Sequence, residues 1–214
     1  VNRPTIAEMY VWQIPVRVVH WAVAAAILVL TLTGIYIDNP YLHGGKFLML
    51  YVKEWHLVFA IALTCAIAVR LSWLAIGNQW SSWRAFVPFA TPEYLTRLKL
   101  TLQFWLFFGK PPKDVGHNPL AAAFYVAVFF CLFIEILTGF ALNSITWGGW
   151  WSNVFGLIVV AFPANDVRLA HHMIMWMILA FVIVHVYSSV VVDIKESTGV
   201  LSSIVTGHKF ERKA

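Results

Sequence analysis

The stretch LAHHMIMWMILAFVIVHVYSSVVV, residues 169–192, decides how the chain is read. It is apolar enough to cross a bilayer, whose core needs about 20 such residues in a helix. Yet it carries His171 and His185, and imidazoles are costly in hydrocarbon and usually mark a functional site there. The fourteen residues between them rise ~21 Å as helix and turn through ~1400°, four turns less about 40°. The spacing therefore puts both rings on one face at opposite membrane depths. That geometry suits two flat cofactors, one near each surface.

Three other stretches have the same apolar character: Val16–Ile37, Trp55–Ile76 and Leu120–Leu142. With Leu169–Val192 they predict an all-α integral membrane protein, a four-helix transmembrane bundle forming one membrane domain over residues 1–214. A chain that is 60% hydrophobic and 12% charged, with mean hydropathy +0.75, is no ordinary soluble domain. The first span is too long for a removable signal peptide, lacks a small-residue cleavage pattern, and reads as retained.

Charge sets the orientation. Arg3, Arg17, Arg70, Arg84, Arg97, Lys99, Lys110, Lys113, Lys195, Lys209, Arg212 and Lys213 fall on one side, leaving Lys46, Lys53 and Arg168 on the other. The positive-inside rule makes the first side, with both termini, cytoplasmic. This topology signal and anionic lipid account for the net charge of +5 without nucleic acid.

The connections are uneven. Residues 77–117 are broken by Pro88, Pro92, Pro111 and Pro112, and within them Tyr94–Phe108 mixes Arg97 and Lys99 with leucines and phenylalanines. That composition predicts a basic amphipathic helix in the inner interface. The Trp-rich outer stretch Trp147–Phe162 is too short to span and is expected against the outer surface or a partner. Tryptophans near the span ends form the interfacial belt. Cys65 and Cys131 lie mid-span and read as small hydrophobes.

Depth sorts the histidines. His20 begins the first span near the inner face, and His56 begins the second near the outer face. His20 thus pairs with His185, and His56 with His171, each pair able to supply two axial imidazoles to one haem iron. His172 lies about 140° off the face of His185, against about 40° for His171, so His171 is the expected ligand. Two pairs so far apart do not make a tetrahedral zinc site.

Gly34 lies fourteen residues after His20, and Gly139 sits at a similar depth on the third span. Either glycine lets a porphyrin edge approach the backbone, or serves close helix packing. Each closes a Leu-Thr-Gly, residues 32–34 and 137–139. Arg70, fourteen residues after His56, and Arg17, one turn before His20, are candidates to pair with haem propionates; both also serve as topology charges. Glu135 is the single carboxylate well inside a span and is read either as a proton relay or as a protonated, hydrogen-bonded acid. In His117-Asn118-Pro119 the asparagine and proline suit a helix N-cap and first turn. The same triplet sets an imidazole and an amide beside the inner haem, where a quinone carbonyl could accept a hydrogen bond.

The stretches PVRVVHW (15–21), Gly77-Asn78 with the serines and tryptophans after it, FGKPPKDVGHNP (108–119), LTGFAL (137–142) and Arg168–Asp193 resemble the b-type cytochrome subunit of membrane-bound [NiFe] hydrogenases. The resemblance runs nearly the full length. It implies two b haems, held by His20/His185 on the inner side and His56/His171 on the outer. It also implies an iron–sulfur small subunit with a membrane anchor, a large catalytic subunit outside, and quinone as acceptor. The chain is then not catalytic for hydrogen by itself. It is expected to pass electrons inward across a bacterial or archaeal cell membrane and to reduce quinone, with His117 and Asn118 as the candidate quinone contacts. Histidine spacing alone also fits a formate dehydrogenase membrane subunit, a related oxidoreductase, or a stand-alone dihaem cytochrome b that oxidises superoxide. A haem-free transporter is disfavoured by the lack of two similar halves and of mid-span helix-breaking pairs.

Overall fold

A computed structural model describes residues 5–40, 45–86, 93–107, 116–196 and 198–213. Pro88, Pro92, Lys110, Pro111, Pro112, Lys113, Phe108 and Arg3, used in the reading above, lie outside the described residues. In chain order the elements are β1 (Thr5–Tyr10), α1 (Ile14–Asp38), α2 (Gly45–Ile76), a 3-10 turn (Trp83–Ala85) and α3 (Glu93–Phe107). There follow α4 (Pro119–Ser144), α5 (Trp150–Ala161), α6 (Ala164–Glu196), α7 (Val200–Thr206) and β2 (His208–Lys213).

The helices α1, α2, α4 and α6 are long and apolar enough to cross a membrane, as expected. Their large side chains face outward: Leu28 is 61% exposed and Ile183 71%. In lipid that is the stable arrangement, because each helix satisfies its own backbone and gives hydrocarbon to hydrocarbon. Helix ends follow local chemistry. Pro15 sits in the first turn of α1, where a missing N–H costs nothing. Pro40, just beyond Asp38, ends it. The Asn118 side chain caps α4, its Oδ1 accepting from Ala121 N at 2.7 Å.

The chain forms two compact units whose boundaries fall within the four long helices. The first comprises residues 1–20, 69–127 and 182–214. Its core is Val11, Trp12 and Val16, packed by Met9, Trp73 and Trp80. Gln13 ties this core together: its Oε1 accepts from Trp73 Nε1 and Asn78 N at 2.9 Å and from Ser81 Oγ at 3.2 Å. Asn78 returns the link by donating Nδ2 to Val11 O at 2.9 Å. Trp12 Nε1 donates to Ser203 Oγ on α7 at 3.1 Å. β1 and β2 pair antiparallel from Thr5↔Lys213 to Tyr10↔His208. This short sheet is the departure from an all-helical chain among the described residues, and it brings both chain ends to the same side. Gly207, with φ 90°, makes the turn between α7 and β2, and its carbonyl accepts from Val11 N and Trp12 N.

In the same unit α3 matches the amphipathic helix expected from the sequence. Tyr94, Thr101 and Phe104 are buried on one side, while Leu95, Leu100 and Leu106 remain exposed. Lys195, at the end of α6, lies over the Phe104 ring at 4.9 Å.

The second unit comprises residues 21–68 and 128–181. There α5 packs on α4 through Phe140, whose ring centroid lies 4.8 Å from Trp151 and 5.1 Å from Phe155. Twelve residues of helix reach only ~18 Å, well short of a ~30 Å hydrocarbon core, so α5 cannot span.

Candidate functional site

In the second unit His56 on α2 faces His171 on α6, with ring centroids 6.5 Å apart and planes at 65°. Each ring is held by a helix that carries no histidine of this pair. On α1, Thr33 Oγ1 lies 2.8 Å from His56 Nδ1. On α4, Thr138 Oγ1 lies 3.0 Å from His171 Nδ1. The next residue in each helix is the glycine singled out in the sequence. A Cβ at Gly34 would sit 3.5 Å from His56 Cε1, and one at Gly139 only 3.1 Å from His171 Cε1. The helices thus approach at these points with an imidazole edge filling the place of a side chain.

Glu135 is drawn into the same cluster, its Oε1 3.4 Å from His171 Nδ1. Its Oε2 is shut off from solvent with no hydrogen-bond partner. His172 points elsewhere, lying 3.8 Å from Asp38 Oδ1 at a more exposed position. The helical angle expected this separation of the two adjacent histidines.

In the first unit His20 on α1 faces His185 on α6 at 6.2 Å between centroids, with planes at 53°. Arg70 and His117 belong to a neighbouring cluster. Arg70 is buried, donates to Ser81 O at 3.0 Å, and lies 5.3 Å from the ring centres of both Phe86 and Tyr125. His117 is boxed by aromatic rings: Phe86 at 4.8 Å, Trp12 at 4.9 Å and Tyr125 at 5.7 Å. Its Nδ1 is closed to solvent and has no hydrogen-bond partner among the described residues. Burial, with the cations Lys209 and Arg70 adding to it, pushes the His117 imidazole down to about 3. Arg17 donates Nη1 to Val205 O on α7, leaving Nε buried without a hydrogen-bond partner among the described residues.

Sequence reasoning did not assign Thr33, Thr138, Phe86, Tyr125 or Trp12 a place in these clusters. For the threonines a signal was present, since each precedes one of the two glycines in a repeated tripeptide. For the aromatic box there was none, because its members come from separated segments joined only by packing.

The family model for prokaryotic cytochrome b561 matches residues 11–207. The chain is 35% identical to the probable Ni/Fe-hydrogenase B-type cytochrome subunit of Cupriavidus necator, covering 96% of this chain and 88% of that one. It is 33% identical to the protein of the same name from Bradyrhizobium diazoefficiens, over 98% and 87%. To the probable Ni/Fe-hydrogenase 1 B-type cytochrome subunit of Escherichia coli it is 32% identical, over 96% and 93%. A b-type cytochrome carries haem b, and four membrane-spanning helices make this a multi-pass protein of the bacterial inner membrane. By a match over nearly its whole length, the chain belongs to the prokaryotic cytochrome b561 family.

Proposed function

We propose that this chain binds two b haems and carries electrons from a [NiFe] hydrogenase on the outer side of the membrane to the quinone pool. The observation that carries the reading is the spacing of the two histidine pairs. An iron with two imidazoles in line at ~2 Å each separates their ring centroids by roughly 6 Å. The pairs stand at 6.2 and 6.5 Å. The glycine positions support the fit, since each faces an imidazole edge and a Cβ at Gly139 would crowd it.

His20 and His185 would hold one group and His56 and His171 the other, with Gly34 and Gly139 admitting the macrocycle edge beside the second pair. Bound there, haem b supplies one-electron transfer through its iron. The unpartnered Arg17 Nε supports a propionate contact. Arg70, already committed to Ser81 O, still has donors to offer. His117 Nδ1, unpartnered within an aromatic box, suits a quinone carbonyl as hydrogen-bond acceptor. Asn118 spends its Oδ1 on the helix cap and keeps its amide N–H groups for the same ligand. Quinone reduced here would take two electrons and two protons, the protons from the cytoplasmic side.

The names of the relatives support a hydrogenase as donor, through its iron–sulfur small subunit, with the large subunit beyond it. The basic residues gathered beside both termini support a cytoplasmic location for that side. Hydrogen-dependent quinone reduction in membranes tests the reading. It is expected with the intact chain and lost in His20→Ala and His56→Ala membranes that retain hydrogen-dependent dye reduction. Unchanged quinone reduction in both variants, or copurification of a molybdenum protein in place of a hydrogenase, would overturn it.

A further inference from the structure

The two copies of Leu-Thr-Gly sit on different helices, in front of different histidines, and make the same contacts. Thr33 Oγ1 lies 2.7 Å from Val29 O in its own helix, and Thr138 Oγ1 lies 2.8 Å from Ile134 O. A hydroxyl has one proton, and within a helix it is given to the carbonyl one turn back. Toward the histidine, therefore, each threonine can only accept. An oxygen that can only accept requires the ring nitrogen it faces to carry the proton.

We infer that Thr33-Gly34 and Thr138-Gly139 are paired clasps that fix His56 and His171 as Nδ1–H tautomers, with the Nε2 lone pair free for iron and each ring plane set by the glycine behind it. This rests on the reading of His56 and His171 as axial ligands. The threonines are positioning residues, acting through the imidazoles. The device needs a residue that is both acceptor and internally satisfied, which serine or threonine can be and valine cannot. In the α4 clasp it also leaves little room for a side chain at Gly139, where Cε1 of the ring lies 3.1 Å from a Cβ. A ligand whose Nδ1–H is hydrogen-bonded is more basic at Nε2 and favours ferric iron. Glu135 Oε1 lies 3.4 Å from His171 Nδ1, so the α4 clasp has a carboxyl beside its ring.

The test is a redox titration of the full chain in its complex, followed optically, with low-temperature electron paramagnetic resonance of the oxidised haems. In Thr33→Val and Thr138→Val one of the two titration steps is expected to move upward. Its low-spin signal should shift, while the other step and signal stay in place. Thr33→Ser and Thr138→Ser should restore both. Should a valine chain fail to accumulate, Thr33→Ala and Thr138→Ala remove the hydroxyl without added bulk and should show the same shift. Variants lacking the hydroxyl that superimpose on the unmodified protein in both measurements would overturn the clasp. If His56→Ala at the same time loses one haem, the ligand reading survives the failure. If His56→Ala keeps both haems, the ligand reading falls, and the clasp with it.

Discussion

Gly34 and Gly139 hold equivalent places in the chain yet differ by a few tenths of an ångström, and that difference has a consequence. A methyl at 34 would make an ordinary contact with the imidazole at 3.5 Å, whereas one at 139 would press on it at 3.1 Å. Gly139→Ala is therefore expected to lower haem occupancy, and Gly34→Ala to leave it near normal. Haem-to-protein ratios after purification check this; equal loss in both variants would contradict it. His117 gives a pH dependence of definite sign. Unfolded, its imidazole takes a proton near 6.5; folded, it does not until about 3. The stability of the buried neutral ring is complete above 6.5 and is lost as pH falls from there toward 3. Denaturation midpoints of the unmodified protein should fall relative to His117→Gln between about pH 7.5 and pH 5. A difference that stays constant over that interval would refute the assignment of a neutral, enclosed ring.

At the scale of elements, the four spans and the shorter helices α3 and α5 could be read from hydropathy and length. Such signals are local: a bilayer demands about 20 apolar residues whatever else the chain does. The helical period likewise put His171 and His172 on different faces, as their different neighbours show. What could not be read was whatever depends on segments meeting from afar. β1 and β2 are six polar-mixed residues each, at opposite chain ends, and neither has a strand signal strong enough to stand without its partner. The threonines were visible as a repeat, but their role depends on which imidazole the facing helix presents. Gln13 is a similar case, an unremarkable residue in sequence that accepts three hydrogen bonds in the fold. Ser81 has a second acceptor in Asn78 Oδ1 at 2.7 Å, but Trp73 Nε1 and Asn78 N would be left bare by Gln13→Ala. Each bare donor costs on the order of 1–3 kcal/mol when buried. The thermal midpoint should drop clearly in Gln13→Ala and much less in Gln13→Glu, which keeps the acceptor; equal midpoints would show that the link carries no stability.

For the whole molecule, two histidine pairs stand at nearly one spacing, each within its own unit, and the proposal is that each holds one of two like groups. The apolar exterior fixes where it sits, and β1 and β2 pair across the two ends of the chain. Family membership supplies the b-type cytochrome, and the relatives are named as subunits of Ni/Fe hydrogenases. The central claim, however, is the pair of bis-histidine centres, and haem stoichiometry tests it most directly. Purified protein assayed as pyridine haemochrome should contain two haems per chain, falling to one in His20→Ala, His185→Ala, His56→Ala and His171→Ala. His172→Ala should keep two. One haem in the unmodified chain, or loss from His172→Ala with retention in His171→Ala, would contradict the account.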